Sequence, residues 1–313
     1  MTTVDRSSAK VNDPVYGEGY QERKMKELIS NIIFYFFVFI VVMFCSLPFI
    51  WAIGQSFIDS NALGTRHIYF PIKSDQFTTF NYEFVLNPAR GITVAMLNSF
   101  IVASITTVLC VSIGASSSYV LAQFDFKLRT GLLGLILSMT MFPVVVIIVP
   151  LYVEYLFLKR QAGIELINSF PGVILPYIVF NLPLTVYLLF NFFQEIPAEL
   201  VSAARVDGAS DFQIFRKVIL PLAIPGVFTT AILVFIAAWN EFLIANLMLQ
   251  DVDKRTVPVA LSYFQGIPPI GVIMSQNLAR MAATVVVTIP LIIMVLLFQR
   301  QIVAGLTQGA VKG

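Results

Sequence analysis

The sequence predicts an all-α membrane protein with six transmembrane helices. Of the 313 residues, 58% are hydrophobic and 12% are charged, about half the charged fraction of an ordinary soluble domain. The mean hydropathy is +0.83, and six uninterrupted apolar runs are each long enough to cross the ~30 Å hydrocarbon core of a bilayer as a helix. The runs lack the period-two alternation of membrane β-strands, so we expect all six to be helices.

The six runs divide the chain into a membrane domain and two tails. In order, they extend from Ile29 to Ile53, Thr93 to Ala122, Gly131 to Phe157, Ser169 to Phe193, Leu222 to Leu249 and Met281 to Val303. The first run is too long, and begins too far into the chain, to be a cleaved signal peptide. We therefore predict an N-terminal tail of residues 1–28, a membrane domain of residues 29–303 and a C-terminal tail of residues 304–313.

Positive charges predict the orientation, because Lys and Arg are enriched on the cytoplasmic side of a membrane. Six spans put both termini on one side, and Arg23, Lys24 and Lys26 lie directly before the first span. We therefore expect both termini in the cytoplasm. The connection between the fourth and fifth runs is then also cytoplasmic, and the longer loops near residues 54–92 and 250–280 lie outside.

The sequence provides little catalytic chemistry. His67 is the only histidine, so a His-rich metal site cannot be built. The motifs of zinc proteases, serine hydrolases and nucleotide-binding phosphate loops are missing, and the net charge of +2 gives no polybasic surface for nucleic acid. We expect no enzyme activity, no metal or cofactor bound by this chain, and no nucleic-acid partner.

Two carboxylates, Glu154 and Glu241, fall within the apolar runs. An ionisable group inside a membrane segment suggests a function. Both residues, however, stand near the outer end of their run, so each is either an interfacial side chain or part of a polar pathway.

The connection of residues 195–221 predicts two short helices joined by a glycine. Pro197 suits the first turn of a helix and Glu199 its positive end, and Gly208 suits a left-handed C-terminal stop. Ser210 and Gln213 have the spacing of a capping box. Phe212, Phe215 and Val218 predict an apolar face on the second helix, and we expect Pro221 to end it.

This connection resembles the EAA signature of permease subunits of bacterial ABC importers. The signature runs E-A-A, three residues, G, nine residues and I-x-L-P. The residues that match at this spacing are Ala203, Ala204, Gly208, Leu220 and Pro221. Val218 stands in place of the isoleucine, and Ser202 in place of the glutamate.

The rest of the chain is similar to the carbohydrate-importer branch of that family, the MalG-like permeases for maltose and trehalose. The stretches that carry this similarity include Asn98-Ser99, Met141-Phe142-Pro143, Pro171-Gly172, Pro176-Tyr177, Trp239-Asn240-Glu241-Phe242 and the C-terminal Gly305-Leu306-Thr307 to Val311-Lys312-Gly313. The resemblance implies the type I importer permease fold, a location in the bacterial inner membrane and import of a sugar, such as the disaccharides trehalose or maltose.

The resemblance also implies partners. These are a second, different permease subunit, an ABC ATPase dimer that binds ATP and Mg²⁺, an extracytoplasmic sugar-binding protein and the lipid bilayer. The residues it implies for coupling to the ATPase are Glu199, Ser202, Ala203, Ala204, Asp207, Gly208, Phe212, Phe215, Leu220 and Pro221, with a tail contact at Lys312. Ser202 lacks the charge of the family's glutamate.

The candidate substrate-pathway residues are Trp239, Asn240, Glu241 and Asn246, because sugars are bound by aromatic rings and planar polar groups. The alternative interpretation is packing and the interfacial aromatic belt. At the level of function, the alternative is an ion-coupled secondary transporter. The missing charges at mid-membrane depth disfavour it.

Overall fold

The computed structural model describes residues 14–59, 76–264 and 273–308. These residues form thirteen α-helices. They are α1 Pro14–Ser56, α2 Phe80–Leu86, α3 Ile92–Gln123, α4 Arg129–Met139, α5 Val144–Ala162, α6 Phe170–Gln194, α7 Ala198–Val206, α8 Asp211–Ile214, α9 Leu220–Leu222, α10 Ile224–Asn240, α11 Leu243–Met248, α12 Val257–Tyr263 and α13 Ile273–Gln308. The last helix thus continues past the predicted end of the membrane domain at residue 303.

The described helices account for the six predicted crossings. Four are long and apolar enough to span a membrane: residues 23–56 of α1, α3, α6 and residues 277–301 of α13. Two further crossings are bent pairs, α4 with α5 and the 211–222 segment with α10. Counting each bent pair as one crossing gives six, which confirms the predicted all-α membrane fold.

The third predicted run is not one continuous helix. The chain breaks after Met139, and α4 and α5 meet at an angle of 86°. Pro143 precedes α5 with an extended backbone, φ −69° and ψ 124°. A proline lacks the amide that would continue a helix and disfavours a helical residue before it, so a helix tends to end at this point. The apolar run from Gly131 to Phe157 is therefore divided into two helices, with the break at a proline.

The fifth predicted run, from Leu222 to Leu249, is also interrupted. The 211–222 segment meets α10 at an angle of 79°, with the bend at Ala223, between Pro221 and Pro225. At the other end α10 stops at Asn240, and Glu241 is extended before α11 begins. The predicted run is thus divided among the end of the 211–222 segment, α10 and α11.

The centre of the bundle is the packing of α3 on α6 and α10. A Cβ on Gly114 of α3 would lie 2.5 Å from the Cγ2 of Thr185 on α6, so the glycine lets the two backbones approach closely. The Ser118 hydroxyl donates to the Val186 carbonyl across the same interface, at 2.8 Å. Unlike α1, α6 and α13, α3 has no internal proline.

Candidate functional site

Residues 197–222, called the 197–222 loop below, form a compact unit whose first turn is closed by a glycine. Pro197 precedes α7 as its N-cap, one position earlier than predicted. Gly208 is left-handed, with φ +80°. Its amide donates to the Arg205 carbonyl and the Ala209 amide to the Ala204 carbonyl, both at 3.0 Å. These are the two bonds of a Schellman motif, so the predicted glycine joint is confirmed.

The second helix of the 197–222 loop starts with the predicted capping box. The Gln213 amide donates to the Ser210 hydroxyl at 3.4 Å, and the Ser210 amide donates to the Gln213 side-chain oxygen at 2.9 Å. One turn of π-helix, Phe215–Ile219, then leads into α9. Every one of these bonds joins residues at most five positions apart.

The inner face of the 197–222 loop packs on the ends of α3 and α6. Val201, Ile214 and Ile219 are buried there. The Phe215 ring lies between Tyr119 of α3, at a centroid distance of 4.9 Å, and Phe193 of α6, at 6.5 Å. Ala204 and Leu220 are partly buried in the same cluster. Three of the predicted coupling residues, Ala204, Phe215 and Leu220, thus fix the loop to the bundle.

A hydrogen bond reinforces this attachment. The Tyr119 hydroxyl donates to the backbone carbonyl of Asp211, at 3.0 Å, where α8 begins. The loop is therefore held both by apolar packing and by a directional contact to α3.

The outer face of the 197–222 loop is exposed. Its predicted coupling residues are Glu199, Ser202, Ala203, Asp207, Gly208, Phe212 and Pro221. Val206, which the sequence analysis did not single out, is 88% exposed, and Phe212 is 68% exposed. Val206 and these predicted coupling residues therefore combine carboxylates, small side chains and bare apolar side chains, a combination that suits contact with another protein.

Phe212 was wrongly assigned to the apolar face with Phe215 and Val218. The buried face of this segment is centred on Ile214, and Phe212 lies two residues earlier, ~200° around the helix. The sequence did contain the signal, because Ile214, Phe215, Val218 and Ile219 have helical spacing.

At the other end of α10, Glu241 holds the helix break together. Its Oε1 accepts a hydrogen bond from the Ile244 amide at 2.9 Å, and its Oε2 accepts one from the Ala245 amide at 3.1 Å. Oε2 also accepts a hydrogen bond from the hydroxyl of Tyr177 on α6, at 2.6 Å. The carboxylate thus caps the positive end of α11 and ties it to α6.

The other candidate pathway residues occupy different environments. Trp239 is 3% exposed and stacks on Phe235 at a centroid distance of 5.9 Å, so its ring belongs to the core. Asn240 is exposed, and its side-chain amide donates to the Ile236 carbonyl at 2.9 Å. The Asn246 side-chain oxygen is buried with no hydrogen-bond partner among the described residues. Lys312 lies outside the described residues.

Tyr177 is a functional candidate that the sequence analysis missed. Its side chain is 1% exposed, and its hydroxyl contacts a carboxylate 64 positions away. The only signal in the sequence was its place in the Pro176-Tyr177 stretch quoted for the family resemblance.

The turn after α5 lies against the end of α11. The Asn168 side-chain oxygen accepts hydrogen bonds from the Gln250 and Asp251 amides, at 2.6 and 3.1 Å. Nearby, the Lys159 ammonium contacts the Glu165 carboxylate at 2.8 Å, and this hydrogen bond and charge lower the pKa of Glu165. Both side chains are exposed, so the ion pair is weak.

The described residues thus form an all-helical membrane domain with a loop of two short capped helices attached at one end. Residues 111–308 match the family described as "Binding-protein-dependent transport system inner membrane component". The chain belongs to this family. It is a permease subunit and not an enzyme, with ATP hydrolysis on a separate ATPase.

Curated relatives match most of the chain. It is 38% identical over 293 residues to the trehalose/maltose transport system permease protein MalG of Thermococcus litoralis, covering 92% of this chain and 99% of that protein. It is 46% identical over 223 residues to the trehalose transport system permease protein SugB of Mycobacterium tuberculosis, covering 70% of this chain and 77% of that protein. Nothing in the comparisons favours the ion-coupled alternative.

Solved structures share the fold. A chain of a bacterial ABC transporter involved in the import of the acidic polysaccharide alginate matches with a TM-score of 0.69 and 22% identity, covering 88% of this chain and 97% of that chain. A chain of the MetNI methionine ABC transporter matches with a TM-score of 0.51 and 20% identity, covering 73% and 99%. The expected importer permease fold is confirmed.

Proposed function

We propose that this chain is the permease subunit of an ATP-driven importer for a disaccharide of the trehalose or maltose type. The observation that carries the proposal is the match to the trehalose/maltose permease of T. litoralis, which extends over 92% of this chain and 99% of that protein. The trehalose permease of M. tuberculosis supports the same substrate class at higher identity.

In this proposal the 197–222 loop docks on an ATPase dimer. The exposed outer face supplies the contact, and the packing of Phe215 on α3 and α6 makes the loop move with the bundle. ATP binding closes the dimer, the loop follows as a rigid lever, and the membrane helices change from inward-open to outward-open. The loop and both termini are then cytoplasmic.

Glu199 supplies the carboxylate that Ser202 does not. Glu199 lies three positions before Ser202 in α7, so the two side chains are neighbours on one helix face. Both are exposed. The Glu199 carboxylate, about one helical turn before Ser202 on the same surface, can therefore bind a basic side chain of the ATPase.

The bundle also requires partners within the membrane and outside it. None of the most apolar window of α1 is buried within this chain, so that surface is free for lipid and for a second, different permease subunit. An extracytoplasmic binding protein delivers the sugar to the side opposite the 197–222 loop. Asn240 and Glu241 stand at the end of α10 on that side, next to the sugar's entry.

The test is reconstitution in liposomes of this chain with its partner permease, the ATPase and the binding protein. We expect ATP hydrolysis and trapped sugar to depend on this chain, and a panel of disaccharides to identify the substrate. Omission of this chain from the same preparation is the control. Solute movement by this chain alone under an ion gradient, without the ATPase, would overturn the proposal.

A further inference from the structure

A cleft of about 210 Å³ lies at the start of α3, between the segment before that helix and residues 252–264. Its lining includes Arg90, Gly91, Arg255, Tyr263 and Phe264. Among the described residues of the lining, the charged side chains are both arginines and none is a carboxylate. None of these lining residues belongs to the proposed coupling surface or to the candidate sugar pathway.

Both guanidinium groups are held over aromatic rings. The Arg90 guanidinium carbon lies 3.9 Å from the centroid of Phe84, and that of Arg255 lies 4.5 Å from the centroid of Tyr263. Cation–π contacts of this kind hold an arginine in place and leave its N–H groups free to bind. The cleft therefore presents two positioned cations.

The backbone that carries Arg90 is fixed locally. Arg90 ends a short 3-10 helix, residues 88–90, whose start is capped when the Ala89 amide donates to the Asn87 side-chain oxygen at 3.0 Å. Gly91 follows with φ +76°, a left-handed conformation that turns the chain directly into α3.

The backbone that carries Arg255 is fixed to α3. The Asn98 side-chain amide donates to the Asp253 and Arg255 carbonyls, at 2.8 and 3.0 Å. The Val257 amide donates to the Ser99 hydroxyl at 2.8 Å. These bonds span more than 150 positions of sequence, so both walls of the cleft are anchored to one helix.

The arginines have unused hydrogen-bonding capacity. Arg255 donates from Nη2 to the Gln250 carbonyl at 3.4 Å, which is a long bond, and its Nε is buried without a partner among the described residues. Within the described ranges neither Arg90 nor Arg255 forms an ion pair, whereas Lys254 beside them contacts Asp251 at 3.7 Å. A guanidinium in this state favours a carboxylate, which can accept two parallel N–H bonds.

The cleft and the 197–222 loop lie at opposite ends of α3. The helix has 32 residues, a length of ~48 Å at 1.5 Å per residue. The cleft is at its first residue, and Tyr119, which contacts the 197–222 loop, is near its last. A helix of this length crosses a bilayer, so the two features face opposite sides of the membrane.

We propose that the cleft receives an aspartate or glutamate side chain of the extracytoplasmic binding protein and thereby positions that protein on the permease. The inference rests on the proposed function, since it requires a binding protein on the side opposite the 197–222 loop. Opposite charges placed at fixed positions favour the correct encounter and the correct register between two proteins. The two anchored arginines set that register.

The test compares three single-charge variants of the complete complex in lipid nanodiscs. The variants are Arg90→Gln, Arg255→Gln and, as a matched control, Lys254→Gln, which removes a neighbouring positive charge outside the cleft. We expect each arginine variant to weaken binding of the purified binding protein about tenfold, and Lys254→Gln to weaken it less than twofold. The ATPase activity without binding protein should stay unchanged in all three.

Several results would overturn the inference. Equal weakening by Lys254→Gln would show a diffuse charge effect, and unchanged binding by both arginine variants would show that the cleft is not used. If acetate raises the thermal stability of the wild-type complex but not of the arginine variants, while their affinity for the binding protein is unchanged, the cleft holds a small free carboxylate instead.

The design separates this inference from the proposed function. Arg90 is exposed, so Arg90→Gln tests the cleft even if Arg255→Gln impairs folding. A wild-type complex that neither binds the binding protein nor imports sugar contradicts both proposals. A wild-type complex that does both, with variants indistinguishable from it, contradicts only the role of the cleft.

Discussion

Two of the side chains that cap helix starts, Ser210 and Glu241, differ in what the cap connects. At Ser210 the capping bonds join residues three positions apart on an exposed loop. At Glu241 the cap also binds a tyrosine 64 positions away in a buried interface. The first arrangement shapes one surface and leaves its outer face free, whereas the second joins two membrane helices. A cap between neighbouring residues therefore suits a contact surface, and a cap that also binds a distant helix suits the interior of the bundle.

Removal of the Glu241 carboxylate gives the largest expected effect. Glu241→Ala leaves the Tyr177 hydroxyl buried without a partner and uncaps α11, which should lower the free energy of unfolding by about 3 kcal/mol. Tyr177→Phe removes one hydrogen bond and should lower the free energy of unfolding by about 1 kcal/mol. Chemical denaturation in detergent of both variants and of the double variant measures the coupling. Additive losses would contradict a shared cap.

Phe215 and Phe212 form a matched pair within the 197–222 loop. Phe215→Ala removes an inward ring and should lower the free energy of unfolding by about 2 kcal/mol. Phe212→Ala removes an exposed ring, so unfolding should change by less than about 0.5 kcal/mol, while sugar uptake by the complete complex falls. Uptake assays at equal membrane abundance check the second effect. Equal losses of stability in the two variants would contradict the assigned faces.

Gly208 tests the joint of the 197–222 loop. No atom lies within 4 Å of a Cβ at this position, so Gly208→Ala should cost about 1 kcal/mol through the left-handed backbone alone. Gly208→Asn is the control, because asparagine tolerates this conformation better. We expect sugar uptake per ATP hydrolysed to fall more in the alanine variant than in the asparagine variant. Normal coupling in a bulky variant such as Gly208→Trp, at normal abundance, would contradict a mechanical role.

The smallest expected effect is at the exposed Lys159–Glu165 ion pair. Because Lys159 lowers the pKa of Glu165 in the folded chain, its stabilisation is present above the unfolded pKa of about 4.3 and is lost as the pH falls through the lower folded value. Glu165→Gln should therefore be slightly less stable to unfolding than wild type at neutral pH and equally stable in acid. Unfolding curves at several pH values measure this. A difference that grows in acid would contradict the assigned direction.

The sequence predicted best what short-range chemistry determines. The Gly208 joint and the Ser210–Gln213 capping box depend on neighbouring residues, and both are present. The length and composition of the apolar runs likewise predicted the crossings. The length of an apolar run says how much chain can enter the membrane and not whether its helix is straight, whereas a proline such as Pro143 marks where the helix bends.

Long-range contacts could not be predicted in the same way. The roles of Glu241 and Tyr177 depend on α6 packing beside α10, which no local pattern specifies. The direction of Phe212 depended on which face of the second helix meets α3 and α6. Counting the apolar side chains at helical spacing around Ile214 would have corrected that interpretation.

The absence of an internal proline in α3 leaves one continuous helix between the two surfaces that it joins. The helix is anchored to residues 253–257 at one end and to the 197–222 loop at the other. A displacement of the loop that α3 transmits as a rigid body also displaces the opposite surface. By linkage, nucleotide on one side changes the affinity for a ligand on the other by the factor with which that ligand changes the affinity for nucleotide.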